Sequence, residues 1–493
     1  MSMNKRRQHP LWMIYALALS VKDIIVPLIL YFIINDGDAS SFVKIVSILL
    51  IAYILYKVMT IPFQWKNNTY LFTDSHIEVQ TGRLIAHKRY VQLDKIQSYQ
   101  QHASFFHRLF RLTSLSIILS ASSEEAIRLE AIKEEEAKRI IAQLQQHTSK
   151  KSPELDEVEE KKTYYKMSKR EIALISFTSL YILAVFPILL SFYFKMDEIF
   201  SLQSYTNYMM DFLKNMPILI AFGVIGLLAF GIIAGYFISY IRFGNYTIAA
   251  DERHIYIQKG VFSKTAYTID RHKINAVRIE KPFSKRIFNL ATFRFVTLGD
   301  LLDETKLETD VLFPYINEKR GKKLLEEILP TFPFQTEKKA LPNAALFLQL
   351  IQPNYTLIII TFLTFYFWPE LWMLPTGLFI YLVIYRTIFF TTMKYIQRDS
   401  WLEIVSGGFT RKTFLTSHEK IDHLTMSQSY LQKRLGLASI IIITRGKPIF
   451  QKELKDIRIT DARDMFHWYT NQQYKLQTEE FYAHEENTSG VNE

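Results

Sequence analysis

Residue types that carry enzyme chemistry are present, but their spacing does not match the patterns that catalysis needs. His418 and His423 lie five residues apart around Glu419, whereas a helical zinc site needs two histidines one turn apart on one face. No phosphate-binding glycine loop, nucleophile elbow or paired carboxylates stand out. The chain also lacks cysteine, which excludes thiolate metal sites, disulfides and a cysteine nucleophile. We therefore expect no catalytic, cofactor-binding or metal site, and a protein that is not an enzyme.

Six basic residues recur at fixed intervals and are candidates for contact with lipid or a partner. Lysines beside a membrane can bind phosphate-bearing headgroups. However, an isoleucine follows each repeated lysine, and alternation in a strand would turn the lysine outward. A solvated position, or packing of the aliphatic stem, therefore explains the repeated lysines better than headgroup binding does. The remaining three could mark the contact edge between domains or the membrane surface. The candidates are Lys95, Lys273 and Lys420, with Arg108, Arg286 and Lys433.

Lys22 and Asp23 are adjacent charges inside a long apolar stretch. A charge at mid-membrane is costly and usually serves function, so an intramembrane polar pair is one interpretation. The other interpretation places both residues near the headgroups, on an interfacial segment that precedes the crossing part of the helix. Gln352, Pro353 and Asn354 interrupt a later apolar stretch at a comparable place. In the second interpretation only residues 24–34 would cross the membrane, and a helix of that length spans about 17 Å at about 1.5 Å per residue.

An internal repeat holds the basic residues in register. Three stretches share nine positions. In each copy the lysine lies thirteen positions after the glycine, and the next basic residue lies thirteen positions after the lysine. Such a repeat must be recognised before a fold is assigned. The three sets are Asp74, His76, Ile77, Val79, Gly82, Lys95, Ile96, Arg108 and Leu112; Glu252, His254, Ile255, Ile257, Gly260, Lys273, Ile274, Arg286 and Leu290; and Asp399, Trp401, Leu402, Ile404, Gly407, Lys420, Ile421, Lys433 and Leu437.

Composition places the chain between a channel and a soluble enzyme. Hydrophobic residues make up 49% and aromatic residues 14% of the 493 residues, less than in a pure channel or transporter and more than in a soluble enzyme. This mixture indicates membrane spans that alternate with soluble domains. The net charge of +11 fits a topology signal and attraction to anionic lipid better than nucleic-acid binding. We therefore expect the lipid bilayer, and no nucleic acid, as a partner.

Six apolar stretches are long enough to cross about 30 Å of hydrocarbon as helices. They pair into three hairpins, at 11–34 and 42–63, 172–194 and 216–241, and 344–367 and 371–393. With the N-terminus inside, Lys44, Lys195 and Lys214 fall on the outer side and Lys22 within a span. The other 55 of the 59 Lys and Arg residues (59 minus these four) then face the cytoplasm or its interface. This asymmetry predicts a multi-pass protein of the bacterial inner membrane, with cytoplasmic termini and repeat domains.

Each repeat copy is predicted to form roughly seven short strands and one closing helix in about 75 to 85 residues, a plausible size for one small core. A small barrel or orthogonal sandwich plugged by the helix fits this pattern. The repeated glycines Gly82, Gly260 and Gly407 are predicted at turns that need a positive φ. Helices are expected at 124–146, 318–329 and 461–473, capped by Ser123, Asn317 and Thr460 respectively.

The predicted domain order alternates membrane hairpins with repeat domains. It consists of an N-terminal segment with hairpin 1 (1–66), repeat domain 1 (67–147), a charged linker (148–171), hairpin 2 (172–242), repeat domain 2 (243–330), a linker (331–343), hairpin 3 (344–393), repeat domain 3 (394–476) and a disordered tail (477–493).

The repeat skeleton consists of a glycine, a Lys-Ile pair, an Arg or Lys, and a leucine. A membrane hairpin followed by a domain with this skeleton resembles the YdbS/YdbT family of bacterial membrane proteins. The triplicated length is similar to that of the longer members. The resemblance covers nearly the whole chain and implies an α-helical membrane protein with α+β or all-β soluble domains. Each soluble domain would be a pleckstrin-homology-like (PH-like) small β-barrel with a C-terminal helix. The first copy departs most, with Phe110-Arg111 where the last has Leu435-Gly436, and the longest insertion lies at 300–310. The family offers no catalytic residues to transfer.

The expected function is non-enzymatic assembly at the membrane. The resemblance implies a second, smaller membrane protein of the same family as partner, and a role in envelope stress or in resistance to antimicrobial peptides. One alternative is a transporter or lipid-handling exporter, which would need polar residues along several spans. Another is an enzyme at the membrane surface, which would need a polar cluster that the sequence does not contain.

Overall fold

The computed structural model describes residues 5–18, 20, 41–73, 75–83, 85–93, 96–119, 127–149, 161–178, 191, 194–197, 217–297, 311–334, 337–444 and 450–471. The chain divides into two compact units. The first contains Met1–Lys166 with Tyr240–Asp270, and the second contains Met167–Ser239 with Arg271–Glu493. The middle repeat therefore contributes its first strands to one unit and its last strands to the other.

The described elements recur in nearly the same order three times, and the third series has one additional helix. The first series is β1 (Arg6–Arg7), α1 (12–18), α2 (Ser41–Asn67), β2 (Thr69–Phe72), β3 (His76–Thr81), β4 (His87–Gln92), β5 (Ile96–Ala103), α3 (Phe105–Leu109), β6 (Leu112–Leu119), β7 (Ile127–Lys133) and α4 (Glu134–Ser149). The second is β8 (Lys162–Lys166), α5 (Lys169–Thr178), α6 (Pro217–Phe243), β9 (Thr247–Ala250), β10 (His254–Lys259), β11 (Lys264–Asp270), β12 (Ile274–Lys281), α7 (Phe283–Ile287), β13 (Leu290–Thr297), β14 (Val311–Asn317) and α8 (Glu318–Ile328). The third is β15 (Lys339–Ala340), α9 (Asn343–Ile351), α10 (Tyr355–Phe367), α11 (Met373–Thr392), β16 (Lys394–Arg398), β17 (Trp401–Ser406), β18 (Arg411–Ser417), β19 (Ile421–Ser427), α12 (Tyr430–Arg434), β20 (Leu437–Thr444), β21 (Phe450–Arg458) and α13 (459–471).

Three stretches of the described residues are long and apolar enough to cross a membrane, namely Ile225–Phe243, Asn343–Phe367 and Pro369–Thr392. They fall on the predicted spans 216–241, 344–367 and 371–393. Over the predicted span 42–63, α2 is one continuous helix. The described parts of the predicted spans 11–34 and 172–194 contain α1 and most of α5. Large apolar side chains on these helices, such as Phe222 and Phe362, are exposed, as expected of a surface that faces lipid.

The stretch predicted as one span at 344–367 is two helices rather than one. Pro353 follows the end of α9, and its ring disfavours a helical conformation at Gln352. Asn354 restarts the helix, because its side-chain oxygen accepts a hydrogen bond from the Leu357 N–H at 3.1 Å. This break lies where the sequence suggested a change from an interfacial segment to a crossing helix.

The closing helix is present in each repeat, but the first begins later than predicted. Within the described part of the expected helix at 124–146, Ile127–Lys133 is the strand β7 and the helix begins at Glu134, while the predicted cap Ser123 lies outside the described residues. Side chains Ile127, Leu129 and Ala131 are buried in alternation, a period that suits a half-buried strand and outweighs helix propensity. In the second repeat Asn317 caps α8 as predicted, by accepting from the Lys319 N–H at 3.1 Å. The third helix begins at 459, so Thr460 lies inside it and is not its cap.

A short strand that precedes each membrane segment joins the sheet of its own repeat. β1, β8 and β15 pair antiparallel with β2, β9 and β16. The predicted N-terminal segment and the two predicted linkers therefore contain ordered strands. These strands are short and rich in lysine and arginine, so hydrophobic alternation does not reveal them.

The three repeated glycines adopt the predicted conformation. The φ angles of Gly82, Gly260 and Gly407 are 147°, 100° and 123°. A Cβ at any of them would lie 1.8–1.9 Å from a carbonyl oxygen three residues later. Each glycine therefore permits a turn that a side chain would block.

Alternating strand residues and the closing helix form the cores. In the first repeat, Ile77 of β3 and Leu115 and Ile117 of β6 pack with Ile140 of α4, all nearly inaccessible to solvent. In the third repeat, strands β17 and β20 pack with Ala462 and Met465 of α13 in the same way. Each core is thus a sheet assembly closed by one helix.

Candidate functional site

A continuous sheet joins the first two repeats. β5 of the first repeat pairs antiparallel with β11 of the second, from Lys264 opposite Ala103 to Thr268 opposite Tyr99. The resulting sheet has seven strands in the order β7-β6-β5-β11-β10-β9-β8. We call this pairing the first joint.

The second and third repeats are joined in the same way. β12 pairs antiparallel with β18, giving the order β14-β13-β12-β18-β17-β16-β15. Tyr267 lies opposite Gln100 in the first joint, and Phe414 lies opposite Arg278 in this second joint. These pairs occupy equivalent repeat positions, so the two joints share one register.

Two of the predicted basic residues bridge these joints. Arg108 Nη1 donates to the backbone carbonyls of Val261 at 2.6 Å and Phe262 at 3.3 Å, across the first joint. Lys420 Nζ donates to the carbonyl of His272 at 2.7 Å, across the second. Arg108 thus contacts the neighbouring repeat, in keeping with one of the two interpretations of this residue, whereas a contact between repeats was not predicted for Lys420. Lipid binding stays a prediction for both residues.

Further polar contacts also cross the joints. His102 Nδ1 and Thr265 Oγ1 lie 2.9 Å apart in the first joint. Thr416 Oγ1 donates to the carbonyl of Asn275 at 2.8 Å in the second, where both residues are buried. Burial lowers the pKa of His102, and the neighbouring His107 and Lys259 lower it further. His102 is therefore neutral at physiological pH.

The other predicted site residues are not gathered into one place. Arg286 on α7 and Lys433 on α12 are exposed, and Lys273 lies half-buried in a 3₁₀ turn. Lys433 holds the repeat position of Arg108. Lys95, Lys22 and Asp23 lie outside the described residues, so the interpretation of the intramembrane pair stays a prediction.

Two strand edges that would form such joints carry no neighbouring strand among the residues described. β4 ends the sheet β1-β2-β3-β4, and β19 ends the sheet β19-β20-β21. Tyr90 on β4 is 66% exposed, whereas the equivalent Thr268 and Leu415, inside the joints, are 7% and 1% exposed. His423 on β19 is exposed, whereas the equivalent Ala276 is fully buried. Each open edge thus exposes a strand whose equivalent in another repeat is paired inside a joint. The sequence analysis did not predict this feature.

A groove lies beside the break between α9 and α10. Arg386 of α11 holds the end of α9, because its Nη1 donates to the carbonyls of Gln349, Leu350 and Gln352 at 2.6, 3.1 and 2.7 Å. The groove has a volume of about 650 Å³. Its lining is mostly apolar and includes Leu357, Ile358, Phe362 and Phe379, with the polar Gln352, Asn354 and Arg386.

The histidines considered for zinc do not come together as a ligand pair. His418 is buried against the rings of Trp468 and Tyr469, with centroid distances of 5.5 and 6.0 Å, while His423 is exposed on β19. Across the part of the chain that the structure describes, no group of three or more His, Asp or Glu residues could hold a metal ion.

Comparisons with known proteins agree with this architecture. Residues 18–148, 185–331 and 344–473 each match the bacterial PH domain family, and the chain belongs to that family. The UPF0699 transmembrane protein YdbT of Bacillus subtilis (strain 168) is 26% identical over 498 residues, which cover 94% of this chain and 98% of that protein. No solved structure matches the chain. The predicted triple PH-like repeat and family resemblance are confirmed, and the chain is a membrane protein with three bacterial PH domains.

Proposed function

We propose that this chain is a non-enzymatic scaffold of the bacterial cell membrane that assembles with a second PH-domain membrane protein. In this proposal six helices cross the membrane as three hairpins, and the termini and PH domains are cytoplasmic. The strong asymmetry of Lys and Arg along the sequence supports that topology. The partner is a smaller membrane protein of the same family, and the assembly serves envelope stress or resistance to antimicrobial peptides.

The open edges of β4 and β19 are the observation that carries the proposal. Exposed strand edges readily pair with another chain, and proteins usually protect them. Equivalent strands are paired twice within the chain in one register, which supports the same pairing at these edges. A PH domain from another polypeptide would extend either sheet by the same antiparallel pairing, with backbone hydrogen bonds for affinity and side-chain pockets for specificity.

Equivalent positions define the contacts that each new joint would contain. At the β19 edge, Lys433 would take the role of Arg108 and donate to the carbonyls of the partner's glycine turn. At the β4 edge, the exposed ring of Tyr90 would be covered by the partner's strand. A central aromatic that becomes buried is a common source of binding energy at protein interfaces.

Purification from the native host in mild detergent, followed by mass spectrometry, tests the proposal. The intact chain should retain a stoichiometric PH-domain membrane protein. Tyr90→Asp and Thr425→Asp place a carboxylate on each open edge and, combined, should abolish retention. Lys138→Asp, on the exposed face of α4, is the matched control and should retain the partner. A chain that purifies alone, or equal retention by all variants, would refute the assembly.

The groove beside α9 and α10 favours a second candidate function, a transporter or lipid-handling exporter. An apolar groove inside a candidate span suits an acyl chain, and Arg386 offers a cation near it. Ile358→Trp would fill the groove, whereas Ile359→Trp changes an equally exposed neighbour that does not line it. Loss of bound lipid or of flux only in Ile358→Trp would support this function. Equal behaviour of both variants would exclude the groove as its path.

A further inference from the structure

The short helices α3, α7 and α12, one in each repeat, carry large apolar side chains that are exposed. In the first two repeats, three equivalent positions on this helix and its C-cap hold phenylalanine, leucine or isoleucine, each 43–67% exposed. Clustered exposed apolar residues mark an interaction surface, and the same positions are exposed in both repeats. The six residues are Phe105, Leu109 and Phe110 on α3, and Phe283, Ile287 and Phe288 on α7.

The third repeat has a similar surface with one exchange. Tyr430 and Leu435 occupy the positions of the two phenylalanines and are exposed. Arg434 stands where the other repeats have leucine or isoleucine, and the neighbouring Leu431 is exposed instead. We call these three surfaces the apolar tips.

The first apolar tip lies beside helices that lead into predicted spans. The ring of Phe106 on α3 stacks on Tyr15 of α1, with centroids 6.1 Å apart. Arg108 of α3 donates to the carbonyl of Val261, and the Val261 N–H donates to the carbonyl of Ile241 in the last turns of α6 at 3.2 Å. Because Ile241 lies in the candidate span Ile225–Phe243, this tip is at the membrane end of its domain.

The second apolar tip also lies at the membrane end. α7 follows Lys281, which pairs with Arg411 at the start of β18. Just before Arg411, the ring of Phe409 packs against Tyr381 and Tyr385 of the candidate span α11, with centroids 5.8 and 5.9 Å away. The end of β12 that leads into α7 is therefore the end nearest this span.

The third apolar tip is tied to the start of a candidate span through one carboxylate. Gln432 of α12 donates to Asp456 Oδ1 at 2.7 Å. Gln349 of α9 donates to Oδ2 of the same residue at 3.4 Å. Since α9 is the first part of the candidate span Asn343–Phe367, this tip too is close to the membrane.

The charge around the apolar tips has one sign. The stretches 103–112, 281–290 and 427–437 contain no Asp or Glu, and each contains at least two Lys or Arg residues. Arg111, Arg286 and Arg434 are exposed there. The strand joints do not cover the tips, because those of the first two repeats stay exposed although both joints are formed.

We propose that the three apolar tips insert into the headgroup region of the membrane that the chain spans, and that their cations bind anionic phospholipid. Apolar side chains flanked by Lys and Arg favour the membrane interface, and anionic lipid strengthens their binding. The tips then fix each PH domain against the bilayer at a second place besides its membrane helices. This contact does not depend on the strand-edge assembly.

Depth measurements on the full chain test the proposal. The chain has no cysteine, so Leu109→Cys, Ile287→Cys or Leu431→Cys gives one site for a nitroxide spin label. Power saturation with oxygen and with a water-soluble nickel complex reports the depth of each label in nanodiscs of phosphatidylcholine and phosphatidylglycerol. Ser75→Cys and Asp399→Cys are the controls. Both positions are exposed, in turns separated from the repeated glycines by strands of six residues, about 20 Å.

Labels on the apolar tips should lie about 5–10 Å below the headgroup surface, whereas the control labels should remain in water. In nanodiscs of phosphatidylcholine alone the tip labels should move toward water, because the attraction of the cations to anionic lipid is lost. Tip labels as exposed to the nickel complex as the controls would overturn the proposal. Tip labels shielded from both reagents would overturn it in favour of a protein cover, and equal depth in both lipid mixtures would overturn the assignment to anionic lipid.

Discussion

Replacing Gly407 by alanine is expected to destabilise the last PH domain by about 2–3 kcal/mol. The φ of 123° at this position costs a residue with a side chain about 1–2 kcal/mol. The added Cβ would also lie 1.9 Å from Thr410 O and 2.9 Å from Thr410 C, which are backbone atoms and cannot move without opening the turn. Relief of that overlap adds about 1 kcal/mol.

Hydrogen exchange of the whole chain in nanodiscs measures this effect. Peptides from β17 and β20 should exchange roughly 30- to 150-fold faster in Gly407→Ala, since each 1.4 kcal/mol corresponds to about tenfold. Gly377→Ala is the matched control. It lies in α11 with no atom within 4 Å of the added Cβ, so these peptides should be unchanged. Unchanged exchange in Gly407→Ala would refute the reasoning that the repeated glycines are required by their turns.

Three further predictions concern the helix break, Lys452 on β21 and the first joint. Arg386→Met should loosen α9, because three carbonyls lose their donor, and exchange of α9 should rise while that of α8 stays constant. Burial lowers the pKa of Lys452 to about 8 in the folded chain, so the stability of the chain relative to Lys452→Met should increase as pH rises from about 8 to 10.5. Below that pH range Lys452 is protonated in a site that disfavours its charge, which lowers the stability of the folded chain. Deprotonation removes this cost. A stability difference between the two proteins that does not change with pH would contradict the prediction. Arg108→Ala should increase hydrogen exchange selectively in the turn that contains Val261. Exchange in this turn that equals that of the unaltered chain would show that the contact does not hold the joint.

The sequence predicted the repeat unit well because its signals are local. The spacing of Gly82, Gly260 and Gly407 indicated the turns, and the cap at Asn317 indicated the start of α8. The helix expected from Glu124 was wrong over 127–133, because Glu124, Glu125 and Glu130 resemble a helix start in sequence while buried alternation forms a strand. The short basic strands were missed because two to five residues carry no hydrophobic period.

The candidate site was harder to predict because it depends on which strands become neighbours. Arg108 and Lys420 were selected for their repetition, but their acceptors are carbonyls of the neighbouring repeat. The charge of Arg278 beside Lys412 arises only when β12 pairs with β18. Hydrophobic periodicity identifies strands and their faces, but it does not identify the partner of an edge strand.

Photo-crosslinking from the open edge tests the central claim most directly. Benzoylphenylalanine at position 90 in β4 should, in the native host, crosslink to a PH domain of another polypeptide, at the strand equivalent to β5. The same group at Thr268 is the internal standard, because it should crosslink to the region of Tyr99 within the chain. Crosslinks from position 90 to lipid alone, or none while position 268 reacts, would contradict assembly through the open edge.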